Sequence, residues 1–252
     1  MTKLGSEYIQ ELVEVTKKIE KAGWHRSTRS GNTGIGKTFE DLLEKEEDNE
    51  DLPDFYDIEV KTHEVASKSL ITLFTKAPSY PRGANTFLRE NYGILDEYGN
   101  KTLHMTITGN RKTNTQKYQY NFQVEVDFEE ELIRLLVFER DTDALIDDHV
   151  YWTFADLEKS IQRKLPTLAI VSAESKVESG IKYYKYNKVD FLTDFSVIGL
   201  AKAINDGVLF VDIRIGAYKT GKRAGKTHDH GTGFRINMEK LLEYGTTIEV
   251  DV

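Results

Sequence analysis

The chain has 252 residues with a formal net charge of −8, and this length can bury the core of one large domain or of two smaller lobes. The absence of cysteine excludes disulfides, thiolate metal sites and thiolate nucleophiles. It contains no apolar run long enough to cross a membrane and no signal peptide, so we expect a soluble, cytoplasmic protein without a membrane partner.

Apolar periodicity predicts helices and strands that alternate along the chain. The predicted helices cover residues 5–22, 37–45, 154–164 and 194–205. The predicted strands cover residues 55–62, 69–75, 102–108, 118–126, 132–138, 168–172 and 208–215. This order predicts a mixed α/β fold. We expect residues 1–160 to form mainly one lobe and 161–252 mainly the other, with lobes that can interleave.

The strand predicted over residues 55–62 carries the most informative side chains. Successive side chains on a strand point to opposite faces, so Glu59 and Lys61 share a face. Asp54 precedes the strand, behind Pro53, where a turn can swing its carboxylate back toward Glu59. Metal-dependent DNA nucleases use this spacing, and two carboxylates suit Mg²⁺ or Mn²⁺. The pattern therefore indicates metal-assisted phosphodiester hydrolysis, in which Lys61 orients or polarises the attacking water.

The same three residues also fit an ordinary solvated strand face. Charged residues make up 30% of the chain, so an Asp and a Glu-x-Lys arise readily by chance. An exposed ion pair there would contribute only about 0–1 kcal/mol. Residues 69–74 are expected to pair with this strand and to form the floor of the site.

A glycine-rich segment precedes the acidic strand and leads into the second predicted helix. Its residues 31–38 fit the letters of a phosphate-binding loop, but the preceding residues 23–30 are polar and basic where that motif requires an apolar strand. We therefore reject an NTPase. Phe39, Leu42 and Leu43 are predicted on the buried side of the helix, and Glu40 on the other side as an additional carboxylate for the metal site.

The C-terminal segment collects side chains that can read DNA bases. Asp212 and Arg214 are predicted to project from one strand face and Arg235 from the returning strand. Arginine suits guanine and aspartate can accept from cytosine. His228, Asp229 and His230 lie at the tip of this glycine-rich hairpin. A flexible solvated loop remains the alternative for this segment.

Further DNA contacts are predicted in and around the same hairpin and in the middle of the chain. Four cations of the hairpin are expected at phosphates: Lys219, Lys222, Arg223 and Lys226. Tyr218 is placed among the DNA contacts of the hairpin. In the middle segment the candidates are Arg82, Arg89, Arg111 and Lys112.

The distribution of charge permits DNA binding despite the net negative total. Residues 65–120 and 212–235 together hold fourteen basic and five acidic residues, a net charge of +9. Two such segments can neutralise backbone phosphates. An acidic remainder would limit indiscriminate binding.

Several motifs together carry a resemblance to a known family. They are Gly31-Asn-Thr-Gly-Ile-Gly-Lys-Thr-Phe-Glu-Asp-Leu-Leu43, Pro53-Asp54 followed by Glu59 and Lys61, Val211-Asp-Ile-Arg-Ile-Gly-Ala-Tyr218, and Lys226-Thr-His-Asp-His-Gly-Thr-Gly-Phe-Arg235. With them the chain resembles the MvaI/BcnI family of type II restriction endonucleases, and more distantly the MutH-like nickases of mismatch repair. The likeness covers nearly the whole chain and is less clear over residues 122–148 and 176–206.

This resemblance implies a PD-(D/E)XK nuclease core in a two-lobed, MutH-like clamp around duplex DNA, with residues 1–160 mainly in the catalytic lobe and residues 161–252 mainly in the DNA-recognition lobe. It implies a monomeric bacterial enzyme that uses Mg²⁺, and Ca²⁺ is expected to support binding without cleavage. The C-terminal motif is most similar to the MvaI branch of this family. That similarity implies cutting at CCWGG, with W either A or T, by nicking of the two DNA strands in separate events. A cognate DNA methyltransferase is then a functional partner but not a physical one. Two alternatives remain open, a MutH-like strand-specific nickase and a DNA-binding regulator without catalysis.

Overall fold

The computed structural model describes residues 3–31, 33–43, 54–65, 67 and 69–251. The chain divides into two compact units, each built from separate stretches of sequence. Unit 1 comprises Met1–Ser69, Gln162–Phe195 and Gly245–Val252, and unit 2 comprises Leu70–Ile161 and Ser196–Tyr244. The prediction of a mixed α and β fold is confirmed.

Within its described residues, unit 1 contains a five-stranded sheet and two complete helices. Its elements are α1 (Lys3–Ala22), β1 (His25–Arg26), α2 (Gly34–Leu42), β2 (Ile58–Glu64), β9 (Thr167–Glu178), β10 (Ile181–Thr193) and β14 (Thr246–Asp251). The strand order is β1-β10-β9-β2, and β14 also pairs with β10. Strand β2 runs parallel to β9, with Glu59 opposite Leu168 and Lys61 opposite Ile170.

The core of unit 1 lies where the two helices cover this sheet. In α1 the buried side chains recur at helical spacing, and this gives the helix one apolar face. Phe39 of α2 and Ile58 of β2 are both fully buried in the same cluster. Leu42 and Leu43 pack against it, as predicted. Helix α2 begins at Gly34, three residues before the predicted start, and the predicted residues 44 and 45 lie outside the described ranges.

Unit 2 contains two further sheets. Its elements are β3 (Ile71–Thr75), α3 (Ala84–Tyr92), β4 (Ile94–Leu95), β5 (Lys101–Ile107), β6 (Tyr120–Asp127), β7 (Leu132–Glu139), β8 (Leu145–Thr153), α4 (Phe154–Lys164, which continues into unit 1), α5 (Val197–Asn205), β11 (Leu209–Ala217), β12 (Thr227–Asp229), β13 (Gly233–Ile236) and α6 (Met238–Leu241). One sheet has the order β3-β13-β11-β5-β4 with β12 beside β11, and the other has the order β6-β7-β8.

The predicted partner of β3 is wrong. Residues 69–74 were expected to pair with the acidic strand β2, but β3 pairs antiparallel with β13, where Ile71 lies opposite Ile236. Strand β2 instead pairs with β9, more than a hundred residues away. The physical reason is that apolar alternation specifies which face of a strand is buried and does not specify its neighbour.

Two further findings concern the chain as a whole. Across the described ranges, every helix is too short or too polar to cross a bilayer. The units are discontinuous in sequence, so a single boundary at residue 160 does not separate them.

Candidate active site and DNA-reading surface

The centre of the acidic site is strand β2. Glu59 and Lys61 share a face of this strand, and the Lys61 ammonium contacts Glu59 Oε1. Glu59 is largely buried, with 8% of its surface exposed. A carboxylate removed from water in this way is stabilised in its charged form by an adjacent cation. The two side chains share a strand face, as their spacing predicts, and the ion pair between them was not predicted.

Asp54 approaches the same strand through a tight turn. Phe55 and Ile58 exchange two backbone hydrogen bonds of 2.8 Å each, and Tyr56 between them has a φ of 54°. This reversal lets Asp54 Oδ2 accept a hydrogen bond from the Val60 backbone N–H at 3.0 Å. The Asp54 carboxylate therefore lies at the backbone between Glu59 and Lys61.

This pair of carboxylates has the chemistry of a magnesium site. Both donors are hard oxygen atoms, which Mg²⁺ and Mn²⁺ prefer, and Mg²⁺ commonly binds through one or two carboxylates plus water and phosphate oxygens. Among the described residues, no three His, Asp or Glu side chains are gathered closely enough to form a complete cage. The donor set therefore fits an ion that shares its ligands with a substrate.

Glu40 lies on α2, which packs beside β2. A methyl group added at Gly36, one helical turn earlier, would lie 3.4 Å from Thr62 Oγ1 and 3.9 Å from Glu40 Oε1. Thr62 alternates with Glu59 and Lys61 on β2 and so points to the other face. The structure thus brings Glu40 close to β2 on the side of Thr62, and its role as an additional catalytic carboxylate stays a prediction.

A second polar cluster forms on one face of the sheet in unit 2. Asp212 of β11 is buried, with 6% of its surface exposed. Its Oδ2 forms an ion pair with Arg214 at 2.5 Å and accepts a hydrogen bond from Arg235 of β13 at 3.1 Å. Its Oδ1 accepts from the Thr106 hydroxyl of β5 at 2.9 Å. Asp212 and Arg214 share a face of β11, as predicted, and Arg235 reaches the same carboxylate from the neighbouring strand β13.

The two arginines differ in how far they reach into solvent. The side chain of Arg214 is 51% exposed, whereas that of Arg235 is 26% exposed. Arg235 also donates through Nη2 to the backbone oxygen of Leu70 at 3.0 Å. Arg235 is thus fixed from two sides, and Arg214 is the more accessible donor.

Aromatic rings continue this face along the hairpin. Tyr218 stacks on His228 with ring centroids 4.3 Å apart, and His228 contacts His230 at 4.1 Å. His230 meets His104 of β5 edge to face at 6.4 Å. Burial lowers the pKa of His104, and nearby positive charges lower it further. The lowered pKa favours the neutral form of His104.

Asp229 was predicted at the hairpin tip but lies at the end of strand β12, opposite Ile215 of β11. Its Oδ1 accepts from the Gly231 backbone N–H at 2.8 Å, and its Oδ2 accepts from the Asn85 side chain of α3. Lys222 lies in a short exposed 3₁₀ turn within the connection between β11 and β12. Both carboxylate oxygens of Asp229 thus accept hydrogen bonds from other groups of the protein.

The middle basic segment divides into exposed and engaged side chains. Arg82 and Arg111 are exposed. Lys112 pairs with Asp143 at 2.6 Å and lies 3.6 Å over the ring of Phe138. Arg89 is buried, and its Nη1 donates to the backbone oxygens of Gly216 and Gly225. We therefore remove Arg89 from the candidate DNA contacts, because its guanidinium supports the hairpin from inside.

Thr106 and His104 belong to this surface and were not predicted. The apolar residues Leu103, Met105 and Ile107 of β5 point inward, so the two residues between them must point outward. Alternation alone could have placed them on an exposed face. Their position beside Asp212 and Arg214 depends on the pairing of β5 with β11, which the sequence does not display.

Comparisons with known proteins agree with one another. Residues 13–243 match the sequence profile of the MvaI/BcnI restriction endonuclease family. The structure is similar to that of restriction endonuclease MvaI in a complex with cognate DNA substrate, with 58% identity, a TM-score of 0.84, and coverage of 96% of this chain and 98% of that chain. It is also similar to MvaI without DNA, with 56% identity, a TM-score of 0.72, and coverage of 97% and 98%. No curated protein matches the chain at a significant level.

Proposed function

Because this chain belongs to the MvaI/BcnI restriction endonuclease family, we propose that it hydrolyses both strands of duplex DNA at a short specific sequence, with Asp54, Glu59 and Lys61 as its catalytic residues. Family membership makes it a site-specific deoxyribonuclease. The observation that carries the catalytic assignment is the contact of Lys61 with Glu59 on β2, next to the Asp54 carboxylate.

In this proposal Asp54 and Glu59 hold Mg²⁺. When bound, the ion supplies Lewis acidity and a water of lowered pKa. Lys61, already a donor to Glu59, orients the attacking water or a phosphate oxygen and stabilises the negative charge that develops on the phosphate. Glu40 is proposed as an additional carboxylate. Mn²⁺ can replace Mg²⁺, and Ca²⁺ supports binding without cleavage.

The proposed architecture is a PD-(D/E)XK core in unit 1 and a recognition lobe in unit 2. All four catalytic candidates belong to unit 1, and all the predicted DNA-reading residues belong to unit 2. This division of the candidate residues supports a catalytic lobe and a recognition lobe, each built from more than one segment of the chain.

Within the recognition lobe, we propose that Arg214 and Arg235 donate to guanine edges, since arginine suits the O6 and N7 atoms of guanine. Asp212 serves them as the acceptor that fixes their direction, and its carboxylate also remains a candidate reader of cytosine. Tyr218, His228, Asp229 and His230 form the adjacent part of the reading surface. Lys222, Arg82, Arg111 and Lys112 are proposed at backbone phosphates, which position the protein without reading sequence.

The proposed recognition sequence is CCWGG, with W either A or T. The support is the identity of 58% to a relative whose structure contains cognate DNA, together with the C-terminal motif. We propose that the enzyme acts as a monomer and nicks the two strands in separate events, leaving one-nucleotide 5′ overhangs. A central A·T pair can be accepted in either orientation, because minor-groove acceptors do not distinguish A·T from T·A. Its functional partner is a cognate DNA methyltransferase.

Mapping of cleavage products on each strand tests this function. The purified protein is incubated with Mg²⁺ and a plasmid of known sequence, with Glu59→Ala as the inactive control. Nicked circles that mature into double-strand breaks at CCWGG would support the proposal. Nicks that never mature would favour a MutH-like strand-specific nickase. An intact plasmid bound at one defined site would indicate a regulator without catalysis.

A further inference from the structure

Helix α3 packs against the hairpin of β11 and β12, and both belong to unit 2. Asn85 and Thr86 lie four and three residues before Arg89, so the three side chains share one side of the helix. Thr86 Oγ1 lies 2.8 Å from Thr227 Oγ1, and the Asn85 side chain donates to Asp229 Oδ2. Thr227 and Asp229 are the first and last residues of β12. The helix therefore holds this strand at both of its ends.

Arg89 joins the same helix to the other strand of the hairpin. Its side chain is buried, and its Nη1 donates to the Gly225 oxygen at 3.1 Å and to the Gly216 oxygen at 3.4 Å. Gly216 belongs to β11, and Gly225 lies in the connection between β11 and β12. Its Nη2 forms an ion pair with Glu90. Because a charged donor makes stronger hydrogen bonds than a neutral one, Arg89 fixes the end of β11 relative to the segment that enters β12.

The two carbonyl groups that Arg89 holds lie next to predicted DNA-reading residues. A methyl group added at Gly216 would lie 3.5 Å from His230 Nε2. Gly216 is two residues beyond Arg214 on β11, so the two residues belong to the same face of that strand. The Gly225 backbone N–H donates to the Tyr218 oxygen at 2.9 Å. A shift of either carbonyl group would therefore move the backbone that carries or supports the reading residues.

We propose that helix α3 positions the hairpin for recognition of DNA sequence, with Arg89 and Asn85 as its positioning residues, neither of which contacts DNA. The inference rests on the proposed function, since it concerns the same reading surface. Readout of a base edge depends on the direction of the hydrogen-bonding side chains, whereas binding to any sequence depends mainly on charge near phosphates. Loss of Arg89 therefore weakens binding to cognate DNA far more than binding to random DNA.

Binding of variants to two duplexes of equal length tests the proposal. The cognate duplex carries the sequence at which the native enzyme cuts, and the other duplex is random. Dissociation constants are measured with Ca²⁺ over a range of salt concentrations. Arg89→Met removes the buried donors while keeping a long side chain, and Arg89→Lys keeps the charge without the planar fork of donors.

Two further variants provide the comparison. Arg82→Gln removes an exposed arginine of the same segment, which is proposed at a backbone phosphate. Asn91→Ala is the neutral control on α3, because Asn91 is exposed and its side chain donates to the Phe87 oxygen of the same helix. Chemical denaturation of each variant measures how much of it is folded.

Arg89→Met should lower the affinity for cognate DNA by about tenfold or more. Its affinity for random DNA should change by less than about twofold, with an unchanged salt slope. Arg89→Lys should recover part of the lost affinity, and Asn91→Ala should match the native protein. Arg82→Gln should instead weaken binding to both DNAs alike, with a salt slope smaller by about one.

Equal losses of affinity for both DNAs in Arg89→Met, or no loss for either, would overturn the proposal. A smaller salt slope in addition would make Arg89 a phosphate contact. If the native enzyme cuts no DNA at a defined sequence, the proposed function fails, independently of α3. If the native enzyme discriminates between the duplexes and Arg89→Met discriminates equally well, the proposed function stands and the role of α3 fails.

Asn85→Ala decides the question if Arg89→Met does not fold. This variant should lower the ratio of cognate to random affinity, because Asp229 loses a donor to its Oδ2. In a protein that already carries Asp229→Ala it should have no further effect, since residues that act through one another do not contribute additively. The same loss in both backgrounds would show that Asn85 does not act through Asp229 and would overturn its role as a positioning residue.

Discussion

Arg235 donates through Nη1 to Asp212 Oδ2 at 3.1 Å, from a neighbouring strand of the same sheet. The same oxygen forms an ion pair with Arg214. One buried carboxylate therefore contacts two guanidinium groups. Since bidentate recognition of a base depends on the direction of a guanidinium group, we predict that Asp212 influences specificity through the two arginines, whether or not it touches a base itself.

Asp212→Asn should lower affinity for cognate DNA by about tenfold or more while leaving affinity for random DNA unchanged or slightly raised. The amide keeps the shape of the carboxylate but not its charge, so it holds both arginines less firmly. Dissociation constants for the two DNAs in Ca²⁺ measure the effect. Glu239→Gln is the control, because it changes the net charge by the same amount at an exposed position of α6. It should leave the ratio of the two dissociation constants unchanged. Equal losses of affinity for both DNAs would indicate that Asp212 stabilises the folded protein and does not act on specificity.

Glu59→Gln and Lys61→Ala should each reduce the rate of DNA cleavage by at least about 10³-fold while preserving cognate binding. The glutamine cannot supply a charged metal ligand, and the alanine removes the donor beside the reacting phosphate. Lys61→Arg should not restore full activity, because a planar guanidinium occupies the site differently from an ammonium. Single-turnover cleavage with Mg²⁺ measures the loss of catalysis, and binding with Ca²⁺ measures any loss of DNA affinity. If both variants still cleave DNA at the native rate, Glu59 and Lys61 of β2 are not catalytic residues.

Gly34→Ala should destabilise the protein by about 1–3 kcal/mol, whereas Gly36→Ala should be neutral or stabilise it by up to about 1 kcal/mol. A methyl group at Gly34 would lie 2.5 Å from the Arg29 oxygen and 2.7 Å from Ser27 Oγ. At Gly36 the closest atom is 3.4 Å away. Chemical denaturation measures both variants. If the two variants are equally stable, the loop at Ser27–Arg29 moves to accommodate the added methyl group at little cost in free energy.

Glu64→Gln should lower stability at pH 7 by less than about 1 kcal/mol, with the difference disappearing in acid. Hydrogen bonds from the Ser175 hydroxyl and then from Lys182 hold the pKa of Glu64 below its usual range. A lowered folded pKa contributes stability above the unfolded pKa of about 4.3, and this contribution is lost as the pH falls through the folded pKa. Denaturation from pH 7 down to pH 3 follows it. Glu178→Gln is the matched control, because it removes one carboxylate from an exposed pair with Lys176.

Local pattern predicted most of the elements, because burial imposes a periodicity on each of them. Helix α1, strand β7 and helix α4 lie close to their predicted bounds for this reason, whereas β2 begins three residues later than predicted because residues 55–58 form a turn. The Asp54 turn was also predictable, since Pro53 and the charge spacing indicate it locally. The parallel pairing of β2 with β9 was not, because it joins residues more than a hundred positions apart. The burial of Arg89 beneath the hairpin was not predictable either, because its partners Gly216 and Gly225 are also more than a hundred positions away.

The two units consist of interleaved segments of the chain, and this arrangement limits how such an enzyme can be rearranged. Neither unit can be excised as one contiguous stretch. Moving unit 2 into a relative would require two grafts, Leu70–Ile161 and Ser196–Tyr244, with Gln162–Phe195 of the host left between them. A new specificity would therefore arise more readily by substitution on the exposed face of its sheet than by recombination of whole lobes.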